Sequence, residues 1–158
     1  MKTAQEPVAT LRVTRLIKAP RDRVFAAWTN PDDIYKWFGP ETCKVLSARI
    51  DLRVGGEYRF RVNSPGCAQE AGKATEQVME VFGVYREIKK PSRLVYTWTW
   101  EPKDEFGESV VTVDFVDKEG FTEVQLTHDK LPTAESRERH GHGWNGCFDK
   151  LERLLAGK

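Results

Sequence analysis

Residues 133–155 read TAESRERHGHGWNGCFDKLERLL, and the fold turns on that stretch. It reads as one long helix from Thr133 to Leu155. Thr133 follows a proline and suits an N-cap, because its hydroxyl accepts from an otherwise orphaned backbone N–H. Glu135 lies near the positive end of the helix dipole, and Lys150 and Arg153 near the negative end. Gly157 is the expected C-terminal stop. Trp144, Cys147, Phe148, Leu151, Leu154 and Leu155 recur at three- and four-residue spacing and cover one face. Asp149, Arg153 and His142 fall on the opposite side. Followed backwards, the same stripe runs through Gly141, His140 and Arg137, so the buried face is greasy at one end and small and polar at the other. Gly141, Gly143 and Gly146 each cost ~1 kcal/mol against alanine in a helix interior. Space for a pocket beside Trp144 and His140 would offset that cost. The rival explanation is tight contact between helix and sheet.

Composition narrows the function. The 158 residues suit a single domain over 1–158, large enough for a real core. Lys plus Arg number 25 and Asp plus Glu 24, which gives no electrostatic pull toward nucleic acid or an anionic membrane. No apolar run approaches the roughly 20 residues of a membrane span. Met1 to Ala9 lacks the apolar centre of a signal peptide. Cys43, Cys67 and Cys147 are odd in number and widely spaced, against a disulfide framework or a zinc site. A reducing, cytoplasmic compartment is the expectation.

Outward from the helix, Thr10–Lys18 reads as a strand. Leu11, Val13 and Ile17 share a face with Arg15. An arginine in such a row either reaches a pocket mouth or marks an outward face. Pro20 opens a short helix with Val24, Phe25 and Trp28 on its apolar side. Asn30-Pro31-Asp32-Asp33 starts a second: a cap, proline at the first position, then carboxylates at the positive dipole end. Ile34, Trp37 and Phe38 follow, and Gly39-Pro40 ends it. From Cys43 to His128 the period changes to two. Leu46, Ala48, Ile50 and Leu52 alternate with polar residues, Gly55-Gly56 turns the chain, and Tyr58, Phe60 and Val62 alternate with Glu57, Arg59 and Arg61. Residues 63–75 read as a loop and 75–87 as a long strand of unassigned face. Leu94, Tyr96, Trp98 and Trp100 line one face of a strand over 93–101, and 101–108 reads as a polar loop. Strands 109–117 and 121–128 form a hairpin around Lys118-Glu119-Gly120. Its rows are Val111, Val113, Phe115 and Val124, Leu126, His128. The order is strand, two short helices, six strands, long helix. A meander with a single long helix must bury that helix against a curved sheet.

The wording of the chain resembles the activator-of-heat-shock-protein-90-ATPase homologue-like family, a branch of the START and birch-pollen-allergen-like SRPBCC superfamily. The resemblance rests on RLIKAP (15–20), VFAAWTNP (24–31), WFGP (37–40), DLRVGG (51–56), LVYTW (94–98) and GHGW (141–144). It implies an α+β helix-grip fold: a curved seven-stranded antiparallel sheet, two short helices after the first strand, and a cavity between sheet and C-terminal helix. The superfamily holds lipid carriers, hormone receptors, cyclases and hydrolases, so the fold leaves the chemistry open. The eukaryotic co-chaperone of the family carries a separate domain ahead of this one. A first strand near Thr10 leaves none expected here.

No catalytic or metal constellation stands out in the sequence. His140 and His142 lie two apart on a helix and face different sides, so they cannot share a metal. His140 and Cys147 are two turns apart, roughly 10 Å, too far for a nucleophile–base bond. His140 reads as a cavity-lining histidine and His128 as a structural one. No sequence-near base activates Cys67. Asp114 and Glu123 read as solvated strand carboxylates. Gly55-Gly56 opens no helix and is no nucleotide loop. The expectation is a binding module for a small apolar, aromatic or lipid-like molecule, without cofactor. Trp37, Phe38, Phe60, Trp98, Trp100, Trp144 and Phe148 would form its walls, and Arg15 and His140 its polar anchors. Two alternatives remain: a cyclase- or hydrolase-type enzyme in the same cavity, and a co-chaperone-like domain that stimulates a chaperone ATPase.

Overall fold

The computed structural model describes residues 9–38, 44–63, 78–101, 108–131 and 134–156. Strand β1 (Ala9–Ile17) leads into helices α1 (Arg21–Thr29) and α2 (Pro31–Trp37). Strands β2 (Lys44–Ile50), β3 (Glu57–Asn63), β4 (Val78–Lys89), β5 (Arg93–Glu101), β6 (Ser109–Lys118) and β7 (Phe121–Leu131) follow, and helix α3 (Ala134–Ala156) comes last. The strands form one antiparallel sheet ordered β1-β7-β6-β5-β4-β3-β2. The β6–β7 turn needs positive φ at both central residues, and Glu119 (57°) and Gly120 (92°) adopt it. The expected cap at Thr133, stop at Gly157, break at Gly39-Pro40, and Cys43 and Cys67 lie outside the described residues. So do most of the loops expected at 63–75 and 101–108.

The two short helices are locked by their own sequence. Asn30 ends α1 and caps α2, its Oδ1 accepting from the Asp32 N–H at 3.0 Å. Arg23 donates to both carboxylate oxygens of the buried Asp33 at 2.9 and 3.3 Å. Trp37 donates from Nε1 to the Ala27 carbonyl at 2.8 Å, so α2 folds back on α1. Their apolar sides meet the sheet through Phe25 and Trp28, whose rings each stand 5.4 Å from Phe115.

Helix α3 lies on the concave face. Trp144, Cys147, Phe148 and Leu151 are buried, and Leu154 and Leu155 pack at the margin. Beneath them Val111, Val113, Phe115, Val124 and Leu126 form the rows expected from the alternation.

Three readings change. In β2 a register shift between Val45 and Ser47 inserts Leu46 as an extra residue and turns it outward, 47% exposed. The inward residues become Val45, Ala48 and Ile50, while Leu52 leaves the strand and is exposed as well. Arg15 neither reaches a pocket mouth nor turns outward. Edge strand β1 places it beside Val124, on the concave side, next to α3. Asp114 is not merely solvated: it accepts from Arg93 at 2.8 Å. The face of β4, open in the sequence, resolves with Val81, Gly83 and Tyr85 inward.

Candidate functional site

Register sets the site. Trp98 on β5 stands opposite Ser109 on β6, and Val111 opposite His128 on β7. Both pairs point toward α3, which brings His140 and Trp144 down onto them. The His128 ring lies 5.2 Å from Trp98 and 4.9 Å from His140, and Trp98 lies 5.2 Å from Trp144 and 5.6 Å from Trp100. Phe38, the residue that ends α2, closes the cluster from above. Its ring is 6.0 Å from Trp98, 6.5 Å from Trp144 and 5.0 Å from Phe60. Trp37 lies 6.1 Å behind Phe38, and Phe148 6.3 Å along the helix from Trp144. Trp37, Phe38, Phe60, Trp98, Trp100, His140, Trp144 and Phe148 therefore form one continuous set of rings.

Arg15 meets that set at its Phe148 end. Its guanidinium lies 5.5 Å from the centre of the Phe148 ring, and it donates to Asp149 at 3.0 Å, Glu152 at 3.2 Å and Asn145 at 3.1 Å. It ties the edge strand to the outer flank of α3.

The protons of the cluster follow from donor and acceptor chemistry. Indole nitrogen can only donate. Trp144 Nε1 lies 3.1 Å from His128 Nδ1, so Nδ1 accepts and the ring is neutral with its proton on Nε2. That proton goes to Ser109 Oγ at 2.8 Å, and the serine hydroxyl donates in turn to the Trp98 carbonyl at 3.3 Å. Burial first, and the neighbouring His140 second, push the His128 pKa well below its usual 6.5. Ser109 and His128 thus have the contact of a nucleophile and base but the opposite polarity. The imidazole donates where a general base would accept. His140 Nε2 accepts from Trp100 Nε1 at 3.4 Å.

Toward β3 and β4 the cluster passes into a second group, Tyr58, Tyr85 and Tyr96, with ring centres 5.3 to 6.0 Å apart. Tyr58 donates to the Thr97 carbonyl at 2.6 Å, and Tyr96 accepts from Trp28 Nε1 at 3.3 Å. Burial raises all three phenol pKa values, so they stay neutral. A residual cavity of about 10 Å³ lies among these rings, Phe38 and Phe60. That is about the space of one water. A larger hollow of about 390 Å³ is a surface groove between α2 and the far end of α3, lined by Lys36, Lys150, Arg153 and Leu154. It lies away from the rings.

Four of the five indoles have acceptors: Trp28 in Tyr96, Trp37 in Ala27, Trp100 in His140 and Trp144 in His128. The fifth, Trp98 Nε1, is buried without a hydrogen-bond partner among the described residues. Sequence reasoning placed Trp98 in the wall but missed this donor. It also read His128 as structural without its partners Ser109 and Trp144, which lie 19 and 16 residues away. Among the described residues no three His, Cys, Asp or Glu side chains converge as a metal site. No helix among them is long and apolar enough to cross a membrane.

A concave seven-stranded sheet gripping one long helix, with two short helices after the first strand, defines the helix-grip class of α+β domains. Within that class the chain belongs to the family of Activator of Hsp90 ATPase homolog 1-like proteins, whose model matches residues 18–156. Among solved structures it is similar to protein CV1439 from Chromobacterium violaceum, at 26% identity and a TM-score of 0.79 over 94% of this chain and 98% of that one. It is similar also to a protein from Rhizobium leguminosarum, at 27% identity and 0.75, covering 95% of each chain. The AHSA1 protein from Silicibacter pomeroyi shares the fold at 24% identity and 0.78, over 94% and 98%. No curated protein matches.

Proposed function

We propose that this protein is a binding module for one compact apolar or aromatic molecule, taken up between the sheet and the first half of α3. The observation that carries the reading is the continuous ring set from Phe60 through Phe38, Trp98 and Trp144 to Phe148. A filled core needs apolar volume but not three indoles, Trp98, Trp100 and Trp144, gathered around two imidazoles. Trp37, Trp100 and His140 complete the lining, with His140 as a polar contact. Arg15 braces the helix from outside. The enclosed space of about 10 Å³ among the described residues beside these rings is too small for a ligand, so uptake there displaces a side chain. Phe38 is the natural one, since it ends a helix and touches both the residual cavity and Trp98. The setting is a reducing, cytoplasmic one, and the reading requires no cofactor.

The test is mass spectrometry of the native protein for a copurifying small molecule, followed by affinity and product assays on that molecule. A His140→Ala variant should bind it more weakly by about 0.5–1.5 kcal/mol, the worth of a net hydrogen bond. A wild type that alters the molecule, and a variant that binds it but leaves it intact, would replace this reading with an enzyme.

A further inference from the structure

We propose that Trp98 Nε1 is the polar anchor of the site and that its ligand is a neutral, planar aromatic compound bearing a hydrogen-bond acceptor such as a carbonyl. The proposal rests on the binding-module reading and specifies its ligand. Trp98 is 5% exposed, and its N–H has no partner among the described residues. A buried donor without an acceptor is costly, and folded proteins keep few of them. Here the shortage is one of numbers. Three indoles, Trp98, Trp100 and Trp144, converge on two imidazoles, and each imidazole already accepts from another indole. Ser109 Oγ accepts from His128 and donates to the Trp98 carbonyl, and its remaining lone pair does not reach the Trp98 N–H. The missing acceptor must come from outside this set, and a ligand carbonyl supplies it.

The same contacts define the rest of the molecule. The groups around Trp98 are the rings of Phe38, Trp100, His128, His140 and Trp144, at 5.2 to 6.4 Å between centres. Such walls favour a flat aromatic body. Among the described residues no cation stands beside the donor. His128 and His140 each accept from an indole and are therefore neutral, and Arg15 is held by Asp149, Glu152 and Asn145. A carboxylate would be buried there without a counter-charge, which strongly disfavours it. A neutral carbonyl accepts the same hydrogen bond without that penalty.

The experiment uses two probes of nearly equal shape, acetylnaphthalene and isopropenylnaphthalene substituted at the same ring position. One carries the acceptor and the other lacks it. Both are titrated into the wild type, Trp98→Phe and Phe38→Ala by calorimetry. The preference for the ketone over the hydrocarbon should fall about tenfold from wild type to Trp98→Phe, ~1.4 kcal/mol. In Phe38→Ala both probes should bind more tightly, with the preference kept. In the wild type, the Trp98 indole N–H proton resonance should move downfield with the ketone and not with the hydrocarbon. An unchanged preference in Trp98→Phe, or no ketone-specific shift of that resonance, overturns the anchor. The resonance decides alone if Trp98→Phe does not fold. Equal binding of both probes removes only this inference, whereas failure of both probes to bind both the wild type and Phe38→Ala removes the binding-module reading as well.

Discussion

The two halves of α3 share a helix and a sheet but solve different problems. From Cys147 to Leu155 the helix presents apolar side chains to apolar strands, and Phe148 and Leu151 are fully buried. Contact there is non-directional, and any well-shaped hydrocarbon would serve. From His140 to Trp144 the helix presents groups that must be matched atom by atom. Trp144 needs an acceptor and finds His128, and His140 receives Trp100. Gly141 and Gly143 belong to this half, and they are not equivalent. A Cβ on Gly141 would stand 3.2 Å from Leu11 Cδ1, which is the tight contact between helix and sheet, whereas a Cβ on Gly143 would meet nothing within 4 Å. One half therefore carries stability and the other carries a polar constellation that stability alone would not require.

The comparison breaks first at Phe148. Phe148→Ala should lose about 3–5 kcal/mol in denaturant unfolding, as a fully buried ring does. A loss below ~1 kcal/mol would mean that the second half is not the structural one.

The pH dependence belongs to the other half. His128 is held neutral in the folded protein, with its pKa below the 6.5 of the unfolded chain. Below that pH the unfolded chain binds a proton that the folded chain refuses. Stability is thus full above about pH 6.5 and declines as the pH falls, with a limiting slope of ~1.4 kcal/mol per pH unit for one proton. Urea unfolding between pH 7 and 5 reads it, and His128→Gln should flatten the curve there. A wild type whose stability is flat over that range would contradict the neutral, doubly bonded imidazole.

The smallest effect is expected at Arg15. Its partners Asp149 and Glu152 are 56% and 42% exposed at the side chain, and pairs of that kind contribute about 0.2–1 kcal/mol. Arg15→Met keeps the stem over Phe148 and removes the charge. It should lose no more than that, and the loss should shrink at high salt. A larger, salt-insensitive loss would return Arg15 to the interior.

Most of the fold was legible because periodicity reports faces. The three- and four-residue stripe of α3, the alternations of β3, β5, β6 and β7, and the Asn30-Pro31 helix start all appear in the structure. The resemblance to the family supplied how they close. Periodicity failed where one residue changes the phase, at the bulge that turns Leu46 outward. It also reports a face and not the neighbour across it. Arg15 was read correctly as a member of its apolar row, yet Asp149 and Glu152, which hold it, lie 134 and 137 residues away. The inward-facing rings were legible for the same reason that the unpaired indole N–H was missed. A tryptophan on an inward row is visible in sequence, but whether its N–H meets an acceptor depends on strands β6 and β7 together with α3.

The central claim is that the first half of α3 faces a site that a small molecule can enter. The most direct test titrates an environment-sensitive naphthalene dye into the native protein and follows tryptophan emission. The account expects saturable binding of one dye per chain, with quenching that is blunted in Trp144→Phe. No saturable binding, together with a loss of about 3–5 kcal/mol in Trp144→Ala, would make this half a filled core like the other and contradict the account.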